Sequence, residues 1–251
     1  MSYALPTITS CYDLLRSTIE PQALIDTAER LKLTALGLVD HATTLGHVPL
    51  ARAARDSSVH VAYGTTLIME DGLPLRFLAR TDDGYRNLTR LISTQASGQA
   101  RLSWDLVRDQ RHGLYLLCGG RRSRIWQAVA RRDAHMLKLL ARLQSLAERP
   151  EYFLVECQQY ADDTVADGET LRQLLELAGR SGARCIATQD VYVLPQEDGR
   201  THRLLRAIGQ QTTFASADAE LPTWQRGQPS RYALPDAQTW HQRWDGLAHL
   251  V

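Results

Sequence analysis

The feature that most constrains this chain is its alternation of short apolar runs with amphipathic helical stretches. Over 21–31, Leu24, Ala28 and Leu31 share one helical face, and Pro21 suits a helix start. Ala35-Leu36-Gly37-Leu38-Val39 then reads as a strand buried on both faces, ending at Asp40-His41. The same cues predict a helix over 48–56 and a strand over 60–63. Glu70-Asp71-Gly72 is a hairpin turn joining Leu67-Ile68-Met69 to Phe77-Leu78-Ala79. Further helices are predicted over 84–93, 125–130, 134–146 and 202–208, and around Leu171, Leu174, Leu175 and Ala178. Further strands are predicted over 114–117, 152–155 and 184–188. Such alternation argues for a mostly parallel sheet, open or closed into a barrel.

With 251 residues, 44% of them apolar, the chain can bury the core of one α/β barrel or of two smaller domains. No domain boundary stands out, so 1–251 is read as one unit. The polar, Gly- and Pro-richer stretch 210–230 is read as a surface excursion before the last helical segment. A net charge of +1, from 29 basic and 28 acidic residues, excludes a global attraction to nucleic acid or membrane. No run approaches the roughly 18 apolar residues of a membrane span. The N-terminal ten residues lack a secretory pattern. Cys11, Cys118, Cys157 and Cys185 are scattered, as small apolar residues of a cytoplasmic protein with reduced thiols would be.

In parallel α/β folds the functional residues gather at the C-terminal ends of the strands. Here those ends are Asp40-His41, Thr65-Thr66, Cys118-Gly119-Gly120, Cys157-Gln158 and Gln189-Asp190. Leu38-Val39-Asp40-His41, with Gly46 beyond, resembles the "DH…G" segment of the polymerase and histidinol phosphatase (PHP) family. Gly84-Tyr85-Arg86-Asn87-Leu88 through Leu91-Ile92 resembles the "GYxNL…L" segment of its bacterial polymerase branch. Gly113-Leu114 through Leu117-Cys118-Gly119-Gly120 is similar to the branch's "GL..LSG" strand. Ala187-Thr188-Gln189-Asp190-Val191 resembles its "ATNDV" strand end, with His202 following, and Arg231-Tyr232-Ala233-Leu234 its closing segment. Each piece is short, but together they span nearly the whole chain in a consistent order. The resemblance implies a distorted seven-stranded (β/α) barrel, as in the N-terminal domain of bacterial replicative polymerase alpha subunits.

Active members of that family hold up to three divalent metals, which activate water and neutralise a phosphoester. Carried over position by position, the resemblance places the opening His-x-His on Thr7-Ile8-Thr9 and the next acidic ligand on Arg16. Further ligand positions fall on Thr66, Pro74 and Gly120, and the closing Asp-x-His on Asp190-Val191-Tyr192. Only His41 and Asp190 remain of the ligand set, fewer than the three or four protein donors a catalytic metal needs. Arg16 would repel a cation in the same pocket. His41 and Asp190 are therefore expected as a buried polar pair, with residual metal binding or another catalytic use as the alternatives. No metal and no cofactor are expected.

Gly119-Gly120 followed by Arg121, Arg122 and Arg124 stands after a strand and opens a helix, a candidate phosphate or DNA contact beside the plainer reading of a solvated basic face. Trp126 lies near, but one aromatic residue is no stacking platform. Trp104, Trp224, Trp240 and Trp244 read as core or rim residues, and His47 as a helix-start residue. The first functional expectation is a non-catalytic PHP domain of a replicative polymerase alpha subunit. It would support the polymerase core domains and dock a proofreading exonuclease subunit, with weak contact to the DNA backbone and none to a membrane. The second is a residual metal-dependent phosphoesterase or 3′–5′ exonuclease. The third is a nucleic-acid-binding module built on the arginines.

Overall fold

The computed structural model describes residues 2–72, 74–96, 101–196, 199–217, 231–247 and 250. Seven strands form one sheet in chain order: β1 (Tyr3–Ile8), β2 (Leu33–Leu38), β3 (His60–Ile68), β4 (Pro74–Ala79), β5 (Leu114–Cys118), β6 (Phe153–Gln158) and β7 (Arg184–Thr188). β1, β2 and β3 are mutually parallel, as are β5, β6 and β7. β4 runs antiparallel to both its neighbours. The predicted hairpin accounts for this reversal, because a tight turn can join only antiparallel strands. Beyond β7, Val191 bridges to Ile8 and accepts the Thr9 N–H at 3.1 Å, which makes the barrel nearly closed.

Helices α1 (Pro21–Arg30), α2 (His47–Ala53), α3 (Asp82–Ala96), α4 (Trp104–Gln110), α5 (Arg124–Ala130), α6 (Met136–Gln144), α7 (Val165–Ser181), α8 (Arg200–Gly209) and α9 (Ala237–Arg243), with one 3-10 turn at Pro150–Tyr152, complete the described elements. Their ends follow local chemistry. The Ser123 hydroxyl accepts the Trp126 N–H and starts α5. Thr164 and Asp167 form a reciprocal capping box on α7, which ends at Gly182 in the left-handed region, φ 69°. β1 and α4 are not among the elements the sequence cues pick out, being short and lacking a long apolar period. Of the 210–230 stretch, 218–230, with Trp224, lies outside the described residues. What precedes it is tied down by Arg203, which donates to the carbonyls of Phe214 at 2.8 Å and Ala215 at 3.2 Å.

Two apolar layers result. The larger lies between strands and helices, with Leu36, Leu116, Phe153 and Val155 against residues such as Leu24, Leu88 and Leu174. The smaller fills the barrel, where Val39, Leu78 and Leu117 meet Ala62, Leu154 and Ile186. Strand alternation carries the inward face of β4 from Leu78 to Arg76, and that of β6 from Leu154 to Glu156. The barrel interior therefore becomes charged toward one end. Trp104, Trp126, Trp240 and Trp244 are all buried.

Two motif glycines have one physical reason. A Cβ on Gly84, at the head of α3, would sit 1.9 Å from the Gly113 carbonyl oxygen. Gly113 itself has φ 72°. The two backbones touch where α3 packs on the start of β5, and a side chain at Gly84 would hold them apart.

Candidate functional site

Past the end of β2 the chain presents Asp40 and His41. Asp40 is fully buried, and its carboxylate accepts the Ser10 N–H at 2.7 Å and the Ser10 hydroxyl at 2.6 Å. Burial pushes the Asp40 carboxyl up to about 7 despite those hydrogen bonds. Gly46 packs on this pair, since a Cβ there would lie 2.6 Å from Asp40 Oδ2 and 2.7 Å from Ser10 Oγ. The aspartate and glycine of the "DH…G" segment thus share one contact.

His41 does not pair with Asp190 as the sequence suggests. Its Nδ1 lies 2.6 Å from Asp13 Oδ2, and its backbone N–H donates to the same oxygen at 3.1 Å. Asp13 reaches it because the Ser10–Asp40 link draws the 10–18 turn onto the end of β2. Burial lowers the His41 pKa, and Arg16 and Arg76 add to the effect against the Asp13 hydrogen bond.

Asp190 is engaged elsewhere. Arg76, from the antiparallel strand β4, places Nη2 2.5 Å from Asp190 Oδ1 and Nη1 2.6 Å from Glu156 Oε1. Gln158 also donates to Asp190 Oδ1, at 3.2 Å, and the Asp190 N–H donates to the Tyr160 hydroxyl at 3.2 Å. Burial opposes ionisation of Asp190, but the Arg76 and Arg122 guanidiniums hold its carboxyl below the ordinary value. At Glu156 burial wins, and the carboxyl is pushed up despite Arg76. The sequence reading did not single out Arg76, Glu156 or Asp13. Arg76 carried a faint signal, a charged residue on the strand face that Leu78 turns inward.

A cavity of about 350 Å³ joins these groups. His41 and Asp190 line it, as do Arg16, Thr66, Pro74, Gly120 and Tyr192, the positions at which the sequence resemblance implies lost ligands. Arg76, Arg122 and Glu156 line it too. Thr7 and Thr9 are buried in the barrel wall. The Thr7 hydroxyl donates to the Gln189 carbonyl at 3.0 Å, and the Thr9 carbonyl accepts from Ser17 Oγ at 2.6 Å. Thr66 turns its hydroxyl back to the Val39 carbonyl at 3.0 Å. Arg16 lies 3.3 Å from Asp13. Among the described residues, no three His, Cys, Asp or Glu side chains are grouped as a metal ion would need.

The arginines that read as one patch go to three places. Arg121 pairs with Asp163 and, at 2.6 Å, with Asp167, and lies over the Trp126 ring at 4.8 Å. Arg122 faces the cavity, and Arg124 lies 3.6 Å from Asp71.

The comparisons with known proteins bear on the family and the fold. The family model described as PHP domain matches residues 8–159. The DNA polymerase III subunit alpha of Pseudomonas aeruginosa is 29% identical over 215 residues, 81% of this chain and 18% of that protein. An error-prone DNA polymerase of Mycobacterium bovis is 27% identical over 226 residues, 83% of this chain and 20% of that protein. The chain thus spans about a fifth of the length of these relatives. An amidohydrolase from Chromobacterium violaceum, solved with bound sulfate and no metal, superposes with a TM-score of 0.53 at 12% identity, over 76% of this chain and 87% of that one. At that identity the likeness is one of fold.

Proposed function

The chain belongs to the PHP domain family, and from that premise we propose that it is a non-catalytic barrel domain of a bacterial replicative DNA polymerase alpha subunit. In this reading residues 1–251 form one barrel that supports the polymerase core domains and docks a proofreading exonuclease subunit in the cytoplasm. No described helix is long and apolar enough to cross a membrane.

The observation that carries the non-catalytic reading is the engagement of Asp190, which Arg76 holds at 2.5 Å. A metal in this cavity would face Arg76, Arg16 and Arg122 at once. The residues present do not fit a metal: too few donors converge, and like charge stands where the ion would go. Multi-metal charge neutralisation supplies much of the barrier reduction in phosphoester hydrolysis, so its loss removes the chemistry. The docking part rests on the relatives being polymerases, and on a fold kept after its chemistry is gone.

A second reading, a residual metal-dependent phosphoesterase or 3′–5′ exonuclease, has one observation in its favour. A carboxylate on Nδ1 is how a ligating imidazole is commonly oriented, and Glu156 and Asp190 line the same cavity. Hydrolysis of single-stranded DNA with and without manganese separates the two. Activity that rises with manganese and vanishes in His41→Ala would establish the second reading. A pull-down of a proofreading exonuclease subunit at micromolar concentration tests docking, and failure with folded protein would count against it.

A further inference from the structure

We infer that Arg76 is a tethered counter-cation, bringing to Glu156 and Asp190 through one side chain the positive charge that a bound cation would otherwise have to supply. Both carboxylates are nearly inaccessible, at 3% and 4% exposure. Two buried carboxyl groups without a cation could stay only by holding a proton, because ionising both would leave uncompensated charge. Arg76 forks between them, one Nη at 2.6 Å from Glu156 and the other at 2.5 Å from Asp190. A guanidinium suits the task because it is always charged, planar and two-armed, whereas an ammonium is a single point charge.

The geometry also gives Arg76 a mechanical role. The side chain starts on β4, the antiparallel strand, and reaches past β5 to β6 and to the segment beyond β7. There the barrel is completed by the Ile8–Val191 bridge and the Thr9–Val191 hydrogen bond. Arg76 is therefore a strut across the charged end of the barrel, joining the β3–β4–β5 side to the seam. The placement explains how the cavity keeps its shape with so few ligand residues left. The inference stands whether or not the domain docks an exonuclease, because it concerns only this internal charge cluster.

The test is a charge cycle on the whole chain. Arg76→Met removes the charge and keeps much of the stem, and its melting temperature should fall by about 10 °C. In a Glu156→Gln/Asp190→Asn background the same substitution should cost less than half as much, because no buried anions remain to be neutralised. A cost that is equal in the two backgrounds, or no cost in either, would overturn the inference. Should Arg76→Met alone fail to fold, folding of the triple variant supports the inference. Failure of the triple variant as well would assign Arg76 to packing and overturn it. Because the readout is stability, a failed exonuclease pull-down leaves it untouched.

Discussion

His41 is bound twice by Asp13, through Nδ1 at 2.6 Å and through its backbone N–H at 3.1 Å. A side chain 28 positions earlier thus fixes both the imidazole and the turn that carries it. The pair links the 10–18 turn to the end of β2, and through Arg16 it reaches the cavity mouth.

Asp13→Asn should therefore destabilise the fold by about 2 kcal/mol, the range for a hydrogen bond to a charged group. Urea unfolding at neutral pH measures it. An unchanged midpoint would show that the turn is held by Ser10 and Asp40 without Asp13.

Two neighbours should pull the pH–stability profile in opposite directions. The Asp40 carboxyl is raised from its ordinary 3.8 to about 7, so between those values the folded state holds a proton the unfolded state has released. Its contribution is full below pH 4 and is lost as pH rises through 7. His41 has a lowered pKa, so below its ordinary 6.5 the unfolded state binds the proton more readily, and stability falls as pH falls. Asp40→Asn should flatten the decline between about pH 4 and 7 and leave the His41 limb. Thermal melts across that interval decide it, and an unaltered slope in Asp40→Asn would exclude Asp40 as its source.

Backbone contact predicts opposite outcomes for alanine at different glycines. Gly84→Ala would place a methyl 1.9 Å from the Gly113 oxygen, and the variant should lose several kcal/mol or fail to fold. Gly168 and Gly179 lie within α7 and have nothing within 4 Å of an added Cβ. Gly179→Ala should add about 0.5–1 kcal/mol by removing backbone entropy from a helix interior. Denaturant midpoints test both, and a destabilised Gly179→Ala would contradict the open space around that position.

Arg121 and Arg124 should separate structure from nucleic-acid binding. Arg121→Ala removes the guanidinium that bridges Asp163 and Asp167, leaving Asp163 with Arg231 at 3.6 Å and Asp167 with its Thr164 cap, and should cost on the order of 2 kcal/mol. Arg124→Ala breaks only a long pair to Asp71 at 3.6 Å and should be near neutral. Neither should change the salt dependence of DNA binding. A shallower salt slope in Arg124→Ala would revive the basic-patch reading.

A chelator should leave the melting temperature unchanged, because binding to the native state alone is what would link metal to stability. A large fall with EDTA, or stoichiometric zinc or manganese by elemental analysis, would reverse the non-catalytic reading.

Much of the barrel was legible from the sequence because its signals are local. Continuous apolar runs such as 114–117 mark buried strands, Glu70-Asp71-Gly72 marks a reversal, and Leu171, Leu174, Leu175 and Ala178 mark one face of a helix. The motif positions around His41 and Asp190 were legible for the same reason, as short strings at strand ends. Which groups touch was not. Asp13 and His41 are far apart in the chain, as are Arg76, Glu156 and Asp190, and nothing in the residues between them encodes the contacts. Asp13 is brought to His41 by the Ser10–Asp40 link, and Arg76 to Glu156 and Asp190 by the inward turn of alternate strand residues and the way the sheet curls until Val191 meets Ile8. A buried charge then pairs with whichever opposite charge the closed barrel brings within reach, because leaving it alone costs more than any local preference can repay.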